Sequence, residues 1–192
     1  MLNPLQNAGL FLINTFFDFV LFLFMIRFLL CWVRADYFNP ITRFIVNCTQ
    51  MLVIPLRRIL PTRWNIEFSS LLIIIILAIL KYVFLGMFVL GTLNNPGGLL
   101  LLAAGEIIKL VCQIFFYAIF LYAIVSLVQQ GYSPLGRILL QLTAPILKPF
   151  QRWIPPVGGF DLSPLPALIL LQLIIILLAT PLLGLGTGLT FG

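Results

Sequence analysis

The chain has 192 residues, 62% of them hydrophobic and only 8% charged, with a mean hydropathy of +1.18. Soluble domains normally carry about a quarter charged residues, so so few polar side chains cannot clothe a water-facing surface and lipid must be the solvent. The charge balance is 11 Lys+Arg against 5 Asp+Glu with no histidine, which removes the commonest general base and metal ligand and makes the excess of cations a question of topology rather than of nucleic acid.

Four stretches are apolar and long enough to cross a bilayer at roughly 20 residues each. They run from about residue 9 to 33, 68 to 93, 99 to 128 and 163 to 183. Asn94-Asn95-Pro96-Gly97-Gly98 is a dense turn signal joining the second and third spans as a tight hairpin. Ser163 followed by Pro164 reads as the cap and first turn of the fourth. The fold class expected is therefore an all-α membrane protein with four transmembrane helices.

Arginine and lysine fix the expected orientation. Arg34, Arg43, Arg57, Arg58 and Arg63 lie between spans one and two, and Arg137, Lys148 and Arg152 between spans three and four. The N-terminal segment, the hairpin and the C-terminal tail hold none. Cytoplasmic loops attract positive charge, so both long loops are expected in the cytoplasm and both termini outside it. The first ten residues lack the basic start and small-residue cleavage site of a signal peptide, so no cleaved leader is expected.

The two long loops repeat each other at a constant offset of 94 residues. Pro40 matches Pro134, Arg43 Arg137, Thr49 Thr143, Pro55 Pro149, Arg58 Arg152, Pro61 Pro155, Glu67 Asp161 and Ser69 Ser163. Such agreement is duplication, dividing the chain into 1–93, the hairpin 94–98, and 99–192. Each unit holds an even number of spans, so the copies are parallel repeats.

Inside each loop, Asn39-Pro40 and Ser133-Pro134 open a helix. Ile41, Phe44, Ile45, Cys48 and Leu52 form the apolar stripe of the first, and Leu135, Ile138, Leu139, Leu142 and Ile146 that of the second. Both are too short and polar to span and suit the membrane interface. Pro55 to Pro61 and Pro149 to Pro155 then frame segments where proline is expected to stop the helix and turn the chain. Arg43, Arg57, Arg58, Arg137, Lys148, Arg152 and Trp153 are the candidate contacts to anionic lipid headgroups or to a membrane-protein partner, with a solute path the third reading.

Leu142-Thr143-Ala144-Pro145-Ile146-Leu147-Lys148-Pro149 followed by Pro155-Pro156-Val157-Gly158-Gly159-Phe160-Asp161-Leu162-Ser163-Pro164 resembles the signature of the YggT family. The first repeat carries a weaker copy with Pro55, Pro61 and Ser69 but without the Pro-Pro-x-Gly-Gly element. The resemblance covers nearly the whole chain and marks Pro55, Pro61, Pro149, Pro155, Gly158, Gly159, Asp161, Ser163 and Pro164 as family positions. It implies a small bacterial inner-membrane or thylakoid protein with no established enzymatic activity, of a family associated with osmotic and ion homeostasis, envelope organisation and cytochrome-complex assembly.

Charges inside the spans are costly and default to functional candidates. At 1.5 Å per helical residue, Asp18 and Glu106 sit about 10–14 Å deep and Lys81 and Lys109 about 15–18 Å. They form one layer, readable as a structural ion-pair cluster, as an ion- or proton-coupled site, or as snorkelling side chains. Glu106 is expected to face the interior and pair with Lys109 or Lys81, on a polar stripe with Gln113 and Tyr117 that faces neighbouring helices. Arg27, nearer the cytoplasmic end, is expected to snorkel. Cys31, Cys48 and Cys112 form no CxxC pair and read as small hydrophobes. Ser126, Thr143 and Ser163 have no base beside them, and Gly184-Leu185-Gly186-Thr187-Gly188 has neither lysine nor strand–helix context, so it reads as a flexible tail. No enzyme, cofactor, metal or nucleic-acid partner is expected.

Overall fold

A computed structural model describes residues 3–58, 60, 66–90, 95–128, 133–153 and 161–192, the backbone alone for 88–90 and 127–128. The helices among them, in chain order, are α1 (Pro4–Trp32), α2 (Pro40–Arg57), α3 (Phe68–Phe84), α4 (Gly98–Val128), α5 (Pro134–Trp153), α6 (Pro164–Ile174) and α7 (Thr180–Phe191). α3 continues as a π-helical stretch, Leu85–Leu90, and Ile175–Ala179 is a second such stretch joining α6 to α7. Four helical runs are long and apolar enough to cross a membrane: Pro4–Trp32, Phe68–Met87, Gly98–Ser126 and Pro164–Phe191.

The chain is therefore an all-helical integral membrane protein of two helix–loop–helix repeats. α1 packs on α3 within the first repeat, α4 on α6 and α7 within the second, and α3 on α4 between them. The central core runs through Leu21, Met25, Ile74, Ala78, Ile119 and Leu171. The helix ends follow local chemistry. Asn3 caps α1 through a capping box with Gln6, Asn39 accepts from the Ile41 N–H at 3.0 Å, and the Ser133 hydroxyl accepts from the Gly136 N–H at 3.3 Å. In the hairpin, Asn95 Oδ1 accepts from the Gly97 N–H at 2.8 Å, the short local bond that makes asparagine a turn residue.

Four expectations need correcting. α1 starts at Pro4, before residue 9. The fourth span does not end at 183: α7 carries it to Phe191, with Pro181, whose missing N–H would break an α-helical ladder, accommodated just past the wider π turn. The glycines of 184–188 are thus helical, not a tail. A Cβ at Gly186 would lie 2.7–3.0 Å from Leu102, side chain and backbone, and one at Gly105 would lie 2.9 Å from Leu183. Small residues let two helices approach closely where no hydrophobic force drives them together.

Proline does not stop the loop helices where expected either. Pro55 lies inside α2, and Pro145 and Pro149 inside α5. All three are exposed, so the backbone bond that each proline cannot donate is lost on the open face of its helix rather than against the bundle. Finally, Ser163 makes no side-chain cap; the cap is Asp161, whose Oδ1 accepts the Ser163 N–H at 2.9 Å.

Candidate functional site

α2 turns toward the bundle on a face that apolar patterning missed. Its buried residues are Thr42, Ile45, Thr49 and Val53, whereas Phe44 and Leu52 of the expected stripe are exposed. The buried Thr49 hydroxyl accepts from Arg27 Nη1 at 2.9 Å and donates to the Ile45 carbonyl at 2.7 Å. In α5 the expected and observed faces largely coincide, through Ile138, Leu139 and Leu142, with Thr143 and Leu147 added and Leu135 exposed.

Arg27 does not snorkel. It is 6% exposed and forms a fork with Glu67, Nε donating to Oε2 at 2.8 Å and Nη2 to Oε1 at 2.9 Å. Nη1 also donates to the Val46 carbonyl at 3.1 Å, and the Ser70 hydroxyl donates to Glu67 Oε2. The planar fork matches the carboxylate, which lysine could not do. Burial alone would raise the Glu67 carboxyl, but the hydrogen bonds from Arg27 and Ser70 and the charges of Arg27 and Arg57 hold it below its usual value of 4.5. One residue pair therefore ties α1 to α2 and to the start of α3.

Deeper in the bundle, Lys81 Nζ bridges Asp18 Oδ1 at 2.6 Å and Glu106 Oε1 at 2.8 Å. The Tyr82 hydroxyl donates to Glu106 Oε2 at 2.8 Å. Lys81 and Glu106 are buried, but the Asp18 side chain is 53% exposed. Three of the four charges expected in this layer are thus in contact. Lys109 is partly buried and makes no hydrogen bond or ion pair with a described residue, so the partner of Glu106 is Lys81. Gln113 is partly buried, and Tyr117 is 62% exposed; 11 residues bring Tyr117 back to within about 20° of the Glu106 direction, so the stripe keeps its face and is covered at Glu106 but open at Tyr117.

At the arginine-rich end the basic residues divide. Arg137 pairs with Asp36 at 3.4 Å, and Asn39 Nδ2 donates to the Pro134 carbonyl at 2.7 Å, so the two loops are laced together. Arg43, Arg57, Arg58, Lys148 and Arg152 are exposed, without a hydrogen bond or ion pair to a described residue, and Trp153 is 86% exposed. Asp161 is exposed and accepts from Gln151 Nε2 at 2.8 Å; burial pushes its carboxyl up, but the bonds from Ser163 and Gln151 hold it below its usual 3.8. Pro61, Pro155, Gly158 and Gly159 lie outside the described residues. Pro55 and Pro149 sit in the last turns of α2 and α5, and Pro164 starts α6. Among the described residues no group of three or more acidic or thiol side chains converges as a metal site.

A family model described as CCB3/YggT matches residues 6–88 and again 101–182, one match per repeat. The chain belongs to this family. It is 38% identical over 168 residues to an uncharacterised protein of Vibrio alginolyticus, covering 87% of this chain and 91% of that one. It is 34% identical over 171 residues to the uncharacterised protein YggT of Escherichia coli, covering 88% of each, and 35% identical over 175 residues to an uncharacterised protein of Pseudomonas aeruginosa, covering 88% and 87%. No solved structure matches the chain.

Two members of the Arg27 network, Thr49 and Glu67, were legible in advance as matched positions of the repeat, but nothing local showed that both meet Arg27.

Proposed function

We propose that this YggT-family protein is a non-enzymatic inner-membrane factor that supports the assembly or upkeep of the envelope or of a membrane complex through lipid and protein contacts. Both termini lie outside the cytoplasm, which puts the arginine-rich face at the cytoplasmic headgroups. The observation that carries this reading is the division of charge. Arg27, Lys81, Glu67 and Glu106 are buried and closed on one another or on Asp18, which fixes helix packing. Arg43, Arg58, Lys148 and Arg152, with Trp153, project from the amphipathic helices α2 and α5 at one end of the bundle. Cations and a tryptophan at headgroup level suit anionic lipid or a partner's juxtamembrane acids. Co-purification of tagged chain from native membranes, followed by mass spectrometry, tests it. A reproducible membrane-protein partner lost on replacing Arg43, Arg58, Lys148 and Arg152 together by Gln supports the reading. Capture indifferent to those four residues overturns it.

One observation favours a second reading, a channel or transporter of osmotic or ion homeostasis. The half-exposed Asp18 leaves the Lys81 cluster open on one side, as an ion- or proton-coupled site requires. Flux in proteoliposomes that disappears in Glu106→Gln while the protein still folds would establish it; absence of flux removes it.

A further inference from the structure

At the arginine-rich end, the first repeat encloses a cavity of about 190 Å³ lined by Arg27, Cys31, Tyr37, Val46, Arg57 and Glu67. It is far larger than the roughly 30 Å³ share of one water, and its walls come from the end of α1, the turn after it, α2 and the residue before α3. We propose that this cavity is a binding site for a single phosphate group, held between Arg57 and the free edge of the Arg27 guanidinium. The proposal rests on the reading above only in placing this end of the bundle at headgroup level.

The donor inventory supports it. A guanidinium has five N–H groups. Arg27 spends two on Glu67 and two on Val46 and Thr49, so one Nη2 N–H has no partner among the described residues. Arg57 makes no hydrogen bond or ion pair with a described residue, yet its charge is felt at Glu67, Cys31 and Tyr37. Burial pushes the Tyr37 phenol above its usual 10, and its hydroxyl is hydrogen-bonded to Cys31, so Tyr37 shapes the polar wall while the two guanidiniums supply the open donors. The charges facing the cavity are two guanidiniums and one carboxylate. The Glu67 carboxylate is occupied by Arg27 and Ser70, so the wall as a whole carries one uncompensated positive charge. A phosphodiester carries one negative charge, and planar guanidinium forks suit its oxygens.

The second repeat supplies an internal control. At the 94-residue offset, Arg27, Tyr37 and Arg57 are replaced by Leu121, Gly131 and Gln151. Gln151 there bonds Asp161 directly. The duplicated framework is retained and the cation set is not, so each chain carries one such site.

The same phosphate chemistry is offered by a phospholipid headgroup and by free phosphate, and the test separates them. Full-length chain, stripped of lipid in a neutral detergent, is titrated with phosphatidylglycerol under native mass spectrometry, and separately with inorganic phosphate followed by ³¹P line broadening. The comparison set is Arg57→Gln against Arg34→Gln, an exposed arginine at the same end but outside the cavity lining; neither belongs to the buried network, and folding is checked by thermal melting. One tight phosphate or lipid per chain is expected, weakened by about tenfold or more in Arg57→Gln, the value of one charge-assisted hydrogen bond, and unchanged in Arg34→Gln. Saturation by phosphatidylglycerol alone assigns the site to a lipid headgroup, and saturation by inorganic phosphate to a free anion. Equal loss in both variants means diffuse surface charge and overturns the proposal, as does the absence of a single saturable site. Partner capture is scored on other residues, so it can fail while this site stands, and the reverse.

Discussion

The two repeats share a loop framework but treat the end of their first span in opposite ways. In the first, Arg27 is buried and binds Glu67, Thr49 and Val46 at once. In the second, the matching Leu121 is 45% exposed, Thr143 returns its hydroxyl to the Leu139 carbonyl of its own helix at 2.8 Å, and Asp161 stays at the surface with Gln151. Thr49 makes the same bond, to the Ile45 carbonyl at 2.7 Å, so what the arginine adds is a second contact on the threonine and a buried partner for the acid, which together join three elements. The second repeat holds together through contact instead, α4 meeting α7 where Gly98, Gly105 and Gly186 bring the backbones close. Duplicated sequence has been stabilised once by a buried charge pair and once by close packing.

The strongest way to break that comparison is to remove the arginine. Arg27→Ala leaves Glu67 charged, buried and unmatched, a loss of about 3–5 kcal/mol in comparable buried pairs. Leu121→Ala, at a partly exposed position, should cost under about 1 kcal/mol. Unfolding in detergent, or accumulation in the membrane, measures both. Equal effects would mean that the first repeat does not depend on its ion pair.

Close packing in the second repeat has its own test. Gly186→Leu must push α7 off Leu102 and should cost about 1–3 kcal/mol by overpacking. Gly184→Leu, where an added Cβ meets nothing within 4 Å, should be neutral or slightly stabilising because it replaces a poor helix former. The same unfolding assay reads the pair, and loss of stability in Gly184→Leu would sink the packing account.

Acidification separates the repeats a third way. Glu67 and Asp161 both have folded-state pKa values below their unfolded values of 4.5 and 3.8. Each therefore contributes stability that is complete above its unfolded value and is lost as the pH falls through its folded value. Melting temperature should be flat above about pH 5 and decline below it. The decline should flatten more in Glu67→Gln than in Asp161→Asn, because protonating Glu67 strands a buried arginine while Asp161 faces its surroundings. Identical pH profiles in the two variants would show that the acids act alike.

Much of this architecture was legible in the residues. The four apolar runs, the Asn95 turn, the caps at Asn39 and Ser133 and the repeat itself all rest on local composition, and local composition survived. What failed was rotational setting. Nothing in α1 shows which way Arg27 points, because its partner lies 40 residues away, so snorkelling looked cheaper than burial. The buried face of α2 was misjudged because only apolar residues were counted toward it, although Thr49 and its match Thr143 are both buried. The C-terminal glycines misled by habit: in water they would loosen a helix, but lipid offers no alternative partner for the backbone and rewards close approach. For the Lys81 cluster, depth along the helices identified Asp18, Lys81 and Glu106 correctly, but depth could not tell Lys81 from Lys109 as the partner of Glu106.

The smallest expected effect concerns how the two first spans end. α4 runs helical to Val128, whereas α1 stops at Trp32 and reverses through Arg34, which takes φ 55. The Ala35 N–H then reaches the Leu30 carbonyl at 2.8 Å, the closing bond of a helix whose last residue is left-handed. Glycine usually fills such a position, because an L side chain there costs about 1–2 kcal/mol. Arg34→Gly should relieve that strain but lose about 0.5–1 kcal/mol to the freer unfolded chain, for a net gain of about 0–1.5 kcal/mol. Arg34→Val should lose stability, since a β-branched residue tolerates positive φ worst. Melting in detergent resolves the ordering, glycine above arginine above valine. An inverted order would mean that the arginine side chain contributes more to the turn than its backbone costs, and that α1 ends where it does because of a contact rather than in spite of strain.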